Sequence, residues 1–190
     1  MRYEHPFPGS LIHCDTKKLG RIVRPSHRVT GNRRDSVDGA GWEVLHLAID
    51  DHSRLSYTEV MADDGKAASV AFTLRALAWF ADHGVTVQRL MTDNGPAYRS
   101  KLFRQTCEAL DIRHVRTRPY RPQTNGKAER FVQTALREWA YKYTYQNSEA
   151  RRRALPIWQH HYNHHRRHAA IGYLPPISRL RLNNVSGLNS

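Results

Sequence analysis

Three carboxylates stand where they could do chemistry. Asp15 lies inside the apolar run 11–19 (LIHCDTKKL), which reads as a strand; a carboxylate there is costly to bury unless paired or ligated. Asp93 follows the short apolar run 87–92 and precedes Asn94-Gly95-Pro96, a strong chain breaker. That places it at the carboxyl end of a strand, where open α/β sheets put their sites. Glu129 falls in the first turn of a helix expected to start near Lys127. It shares a face with Gln133 and Arg137, away from the stripe of Ala128, Phe131, Val132, Ala135, Leu136, Trp139 and Tyr143. Such oxygen ligands suit Mg²⁺ or Mn²⁺, and two such ions roughly 4 Å apart can clamp an in-line phosphoryl transfer. Singly, Asp93 reads equally well as a turn former and Glu129 as a carboxylate favoured by the helix dipole. The set of three weighs more than its members.

The elements that would hold them follow from periodicity. After the first strand comes a basic, loop-like stretch, 21–41, with Arg21, Arg24, Arg28, Arg33 and Arg34 among Gly, Pro, Ser and Asp. Residues 44–49 and 55–60 are β-rich, and Asp50-Asp51-His52-Ser53 between them has hairpin-turn chemistry, which explains Asp50 and Asp51 ahead of a second reading as extra metal ligands. Residues 66–83 carry Ala67, Val70, Ala71, Leu74, Leu77, Ala78 and Ala81 at helical spacing, with Asp63 or Asp64 as a cap and Gly84 as a stop. A helix over about 100–110 buries Phe103, Cys107 and Leu110, a strand follows at 113–117, and 119–126 is a polar Pro/Gly loop. A last helical stretch runs through Trp158 and Tyr162, and Pro175-Pro176 ends the regular structure. The order βββαβαβα plus a helical arm predicts an α/β fold, a mixed sheet with helices on both faces.

Charge is unevenly shared. The chain of 190 residues has a formal net charge of +13. Residues 1–112 carry 15 Lys/Arg against 14 Asp/Glu, and residues 113–190 carry 15 against 3. A polyanion is the natural partner of such an end, with a merely solvated basic surface as the bland reading. No apolar run approaches a bilayer span, and the N-terminus lacks the apolar region of a signal peptide. Cys14 and Cys107 belong to no CxxC pair and read as reduced core thiols of a cytosolic protein. The run HHYNHHRRH at 160–168 lacks a zinc-ligand pattern and better fits phosphate or solvent contact. Trp42, Trp79, Trp139 and Trp158 are expected in the core.

At these motifs the sequence resembles the DDE transposases and retroviral integrases, and in particular their bacterial insertion-sequence branch. Thirty-five residues separate Asp93 from Glu129, the spacing of that family. Leu11-Ile12-His13-Cys14-Asp15 resembles its first acidic strand and Met91-Thr92-Asp93-Asn94-Gly95 its second motif. Residues 117–130 (TRPYRPQTNGKAER) resemble the loop and helix start of the third. Asp51-His52-Ser53-Arg54 and 162–168 (YNHHRRH) fit the bacterial branch. The resemblance covers about residues 10–182. It implies a ribonuclease-H-like five-stranded mixed sheet, and it carries Asp15, Asp93 and Glu129 over as ligands of two Mg²⁺ or Mn²⁺ ions. The implied reaction is strand cleavage by water and strand transfer by the freed 3′-hydroxyl on double-stranded DNA, by a homodimer or higher multimer, in the bacterial cytoplasm at the nucleoid. Asn94, Gln123, Asn125, Lys127 and Arg130 occupy motif positions, and Gly126 supplies flexibility beside the helix.

The expected organisation is an N-terminal extension 1–9, a catalytic core 10–145 and a C-terminal helical arm and tail 146–190. Phosphate contacts are expected from Arg28, Arg33, Arg34, Arg121, Lys127, Arg130, Arg137, Arg151, Arg152, Arg153, Arg166 and Arg167. Complete transposases of this type usually carry a helix-turn-helix region before the core, and here about ten residues precede the first strand, so a truncated product or an excised core is expected. Two rivals remain: a ribonuclease-H-like nuclease, against which the spacing and the late-helix glutamate argue, and a catalytically idle DNA-binding remnant, against which the intact carboxylates argue.

Overall fold

The computed structural model describes residues 4–24, 40–117 and 125–181. Strands β1 (Ile12–Gly20), β2 (Trp42–Asp50) and β3 (Ser56–Met61) form an antiparallel meander. Strands β4 (Arg89–Thr92) and β5 (Arg113–Arg116) extend it in parallel, giving the order β3-β2-β1-β4-β5. The helices are α1 (Lys66–Asp82), α2 (Lys101–Ala109), α3 (Gly126–Ala135), α4 (Ser148–His164) and the short α5 (Ser178–Arg181). This is the mixed five-stranded sheet flanked by helices that the sequence predicts.

Side-chain alternation along the strands divides the core into two layers. Leu19, Leu45, Leu47 and Ile49 pack with Ala128, Phe131, Ala135, Trp139, Leu155, Trp158 and Tyr162 from the α3–α4 side. Ile12, Cys14 and Ala48 point the other way, onto Phe72, Ala76 and Phe80 of α1 and Phe103 and Cys107 of α2. On β1, therefore, Asp15 belongs to the face that looks toward α3.

Helix limits follow local chemistry. Ser100 caps α2 through the Phe103 N–H at 3.1 Å. Gly84, at φ +73°, ends the α1 segment. The first turn of α1 departs from expectation: Gly65 is the N-cap, and Asp63 instead accepts the Gly65 N–H at 2.7 Å. The α3 helix runs into a π-helical turn, Leu136–Ala140, that keeps Trp139 inward.

Helix α4, which the sequence places in a C-terminal arm, contributes Leu155, Trp158 and Tyr162 to one of the two core layers, and the tail beyond residue 181 lies outside the described residues. The polar residues of α4 also seal the exposed edge of the sheet. Asn163 accepts the Ser56 N–H at 3.0 Å and donates to the Ser56 carbonyl at 2.8 Å, while Gln159 accepts the Thr58 N–H at 2.7 Å. An edge strand otherwise offers unpaired backbone to other chains. Several apolar expectations fail: Trp42 is 62% exposed, Leu74, Leu110 and Tyr143 are also exposed, and α1 buries Ser69, Phe72, Thr73, Ala76 and Phe80 rather than the expected stripe, of which Ala67, Ala78 and Ala81 are exposed. Trp42 stands at the first position of β2 and belongs to neither core cluster of the described residues. Cys14 and Cys107 are free buried thiols, as expected.

Candidate active site

Asp15, Asp93 and Glu129 are delivered by β1, by the turn after β4 and by the first turn of α3. Asp15 is half-buried; Asp93 and Glu129 are exposed. The Asp15 carboxylate accepts its neighbour's Thr16 N–H at 2.8 Å and the Asn125 side-chain N–H at 3.3 Å. Burial, with the charges of Asp93 and Glu129, pushes the Asp15 carboxyl up to about 6, against the opposing Thr16 hydrogen bond. The three carboxylates therefore share an electrostatic neighbourhood. Asp93 accepts the Gly95 N–H at 2.9 Å, and Asn94 reaches the Thr117 carbonyl at 2.8 Å, pinning the β4 exit to the end of β5.

Among the described residues no group of three or more His, Cys, Asp or Glu side chains is gathered so as to hold a metal ion as it stands. The donor chemistry nevertheless fits a divalent cation. The candidate donors are all oxygens, and the repulsion from Asp93 and Glu129 that adds to burial in raising Asp15 is what a cation would relieve. Glu129 is exposed in the first helical turn of α3.

Asp15 also has a consequence for stability without metal. Its folded-state pKa lies above the ordinary carboxylate value, so from about pH 4 to about pH 6 the folded chain keeps a proton that the unfolded chain has released. This contribution to stability is lost as pH rises through that window. Asp15→Asn is expected to gain on the wild type across it and to hold the gain above it. Urea midpoints at pH 4.5 and pH 7 check this, and an equal wild-type/variant difference at the two values contradicts it.

Sequence reasoning treated Asp50 and Asp51 as turn residues, and the structure separates them. Asp50 builds the turn: it accepts the Ser53 N–H and hydroxyl, both at 2.7 Å, and the Gly9 N–H at 2.8 Å. Asp51 is buried beside the carboxylate site and meets His13, Lys127 and the His5 N–H. Burial alone would raise the Asp51 carboxyl; those hydrogen bonds outweigh it and hold the group well below the usual carboxylate range. Hairpin composition alone carried no signal for this role, although the Asp-His-Ser-Arg word at 51–54 had marked the place.

The basic residues expected at phosphate divide into three groups. Arg28, Arg33, Arg34 and Arg121, with Gln123, lie outside the described residues. Arg130, Arg137, Arg152, Arg153 and Arg167 are exposed, the Arg152 and Arg153 guanidinium groups sharing Glu149. The others are engaged within the fold. Arg151, expected on the surface, is 0% exposed and bonds Glu43 at 2.6 Å and the Gly20 carbonyl at 2.7 Å, so it cannot meet DNA. Arg166 is forked onto Glu138, and Lys127 is committed to Asp51 at 2.5 Å. In the His/Arg-rich run, Asn163 holds the sheet edge, while His160 and His164 stack at 4.4 Å.

Comparison with known proteins points the same way. Two family models described as integrase core domain match residues 8–122 and 110–176. The putative transposase InsD for insertion element IS2E of Escherichia coli K12 is 32% identical over 99 residues, which are 52% of this chain and 45% of that protein. An intracisternal A-particle Pol-related polyprotein of mouse intracisternal A-particle MIA14 is 33% identical over 93 residues, 48% of this chain and 10% of that protein. The chain thus spans less than half the length of these curated relatives. Among solved structures, the simian T-cell lymphotropic virus intasome bound to the PP2A regulatory subunit B56 gamma matches with TM-score 0.71 and 21% identity, over 95% of this chain and 58% of that one. The HTLV-2 integrase catalytic core domain in complex with magnesium, in a dimeric form, matches with TM-score 0.59 and 15% identity, over 86% and 92%. At such identities the structural likeness establishes the ribonuclease-H-like fold.

Proposed function

Because the chain belongs to the integrase core domain family, within its transposase and retroviral-integrase group, we propose that it is a polynucleotidyl transferase that cuts and joins strands of double-stranded DNA. The observation that carries this reading is the delivery of Asp15, Asp93 and Glu129 by three separate elements, with Asp15 raised chiefly by burial and further by the charges of Asp93 and Glu129. Asp15, Asp93 and Glu129 would hold two Mg²⁺ or Mn²⁺ ions. Held there, the ions would supply Lewis acidity toward the attacking hydroxyl and the leaving oxygen. The chain's own residues orient the site. Asn125 holds one Asp15 oxygen, Gly95 fixes Asp93, and the exposed Glu129 completes the set. A relative solved with magnesium supports the choice of ion. The dimeric form of that same relative, and the need to act on two DNA ends, support a homodimer or higher multimer. A DNA substrate would place the protein at the bacterial nucleoid. No helix among the described residues is long and apolar enough to cross a membrane.

The direct test is strand transfer from a pre-cut DNA end with Mg²⁺, Mn²⁺ or chelator. Ion-dependent joining is expected. Metal binding without any cleavage or joining would instead support the idle-remnant reading.

DNA affinity should be salt-sensitive and largely independent of sequence. With about six phosphates neutralised, log affinity against log salt should fall with a slope of about −5. Charge reversal at exposed Arg152 and Arg153 should weaken all duplexes alike. A slope near zero in a binding series over salt would reject phosphate contact as the main source of affinity.

A further inference from the structure

We propose that Asp51, His13 and Lys127 form a clamp that fixes the start of α3 against β1, and so sets where Glu129 stands relative to Asp15; this rests on the active-site reading above. Asp51 is not needed to make its turn, because Asp50 supplies the turn's side-chain bonds. It is buried instead at a junction of three elements. One carboxylate oxygen takes the His13 Nε2 at 2.8 Å and the Lys127 Nζ at 2.5 Å, and the other takes the His5 N–H at 2.7 Å. Lys127 also donates to the Asp51 carbonyl at 3.2 Å.

The two side-chain partners are placed to transmit position. His13 lies two residues before Asp15 on β1, hence on the same face. Lys127 lies two residues before Glu129 in the first turn of α3. Asn125, the N-cap of α3, closes the circuit, with Oδ1 at 3.3 Å from His13 Nδ1 and Nδ2 donating to Asp15 at 3.3 Å. One strand, one turn and one helix start are thereby joined through side chains 38 and 112 residues apart. His13, Asp51 and Lys127 would touch no substrate: they are positioning residues, acting through Asp15 and Glu129. Groups that orient ligands in this way commonly control affinity for the ion itself.

Asp51→Asn is the obvious variant, but it removes the buried charge that both His13 and Lys127 meet and so risks the packing of the whole junction. Lys127→Met is the decisive one: it keeps the aliphatic stem and leaves Asp51 its His13 and His5 donors. Mn²⁺ affinity by calorimetry should fall about ten- to a hundredfold, read at a temperature where the variant is fully folded, because buried Asp51 loses a partner and the melting temperature of the metal-free protein should fall. Lys127→Arg should recover most of the loss. In the metal-free protein, amide exchange in the first turns of α3 should quicken at least tenfold relative to α1. Mn²⁺ affinity and exchange both within twofold of wild type would overturn the clamp. If the wild type itself binds no Mn²⁺, the active-site reading fails, and the exchange comparison alone decides the clamp: faster exchange in α3 sustains it, and equal exchange overturns it.

Discussion

Asp93→Asn is expected to cut metal-dependent strand transfer by about a thousandfold or more, roughly 4 kcal/mol of barrier, without unfolding the chain. The substitution keeps volume and removes one charge from a group that could bind a cation. Asp93 is exposed and its side chain's one described hydrogen bond is from the Gly95 N–H, so the fold loses little. Asp15 is raised partly by Asp93, and relief of that repulsion should leave the metal-free melting temperature unchanged or higher. The stabilisation conferred by Mn²⁺, about 2.7 kcal/mol at a hundredfold excess over Kd for a competent site, should shrink. Melting with and without Mn²⁺, beside the joining assay, reads both effects. If the variant keeps the Mn²⁺ shift and the activity, Asp93 is only a turn residue.

Arg151→Met is expected to destabilise the protein by about 3–5 kcal/mol, the usual cost of leaving a buried charge without its partner. Arg151 and Glu43 are both buried, their side chains 0% and 5% exposed, and Arg151 also holds the Gly20 carbonyl at the end of β1. Removing Glu43 as well should recover much of the loss, since a buried ion pair replaced whole by apolar groups is often tolerated. Urea unfolding of Arg151→Met and of the Arg151→Met/Glu43→Leu double variant checks this. A loss below about 1 kcal/mol in the single variant, as an exposed pair would give, would contradict the burial described.

What the sequence disclosed, and what it withheld, follows from the range of the interactions. Strand and helix periods are local, so the mixed sheet and the placing of Asp15, Asp93 and Glu129 on separate elements were legible from residue patterns and from the spacing of one family. Burial of Arg151 was not legible. Its neighbours Arg152 and Arg153 are exposed, and only the approach of α4 to Glu43, 108 residues earlier, turns it inward. The double duty of Asp50 and Asp51 was hidden for the same reason: both suit a turn, and only the arrival of His13 and Lys127 distinguishes them. Asn163 sat in a run read as basic surface, yet its amide matches the open edge of β3. Trp42 shows the converse, a residue whose type predicts core but whose position at a strand start leaves it bare.

The central claim is that Asp15, Asp93 and Glu129 form one divalent-metal site. A crystal structure of the chain soaked in Mn²⁺, with anomalous difference density, tests it most directly. The account predicts Mn²⁺ peaks among the three carboxylates, with Asp15 and Asp93 both ligating and Glu129 swung in to join them. Ordered α3 with Glu129 far from the aspartate pair at saturating Mn²⁺, or Mn²⁺ peaks only elsewhere on the protein, would contradict it.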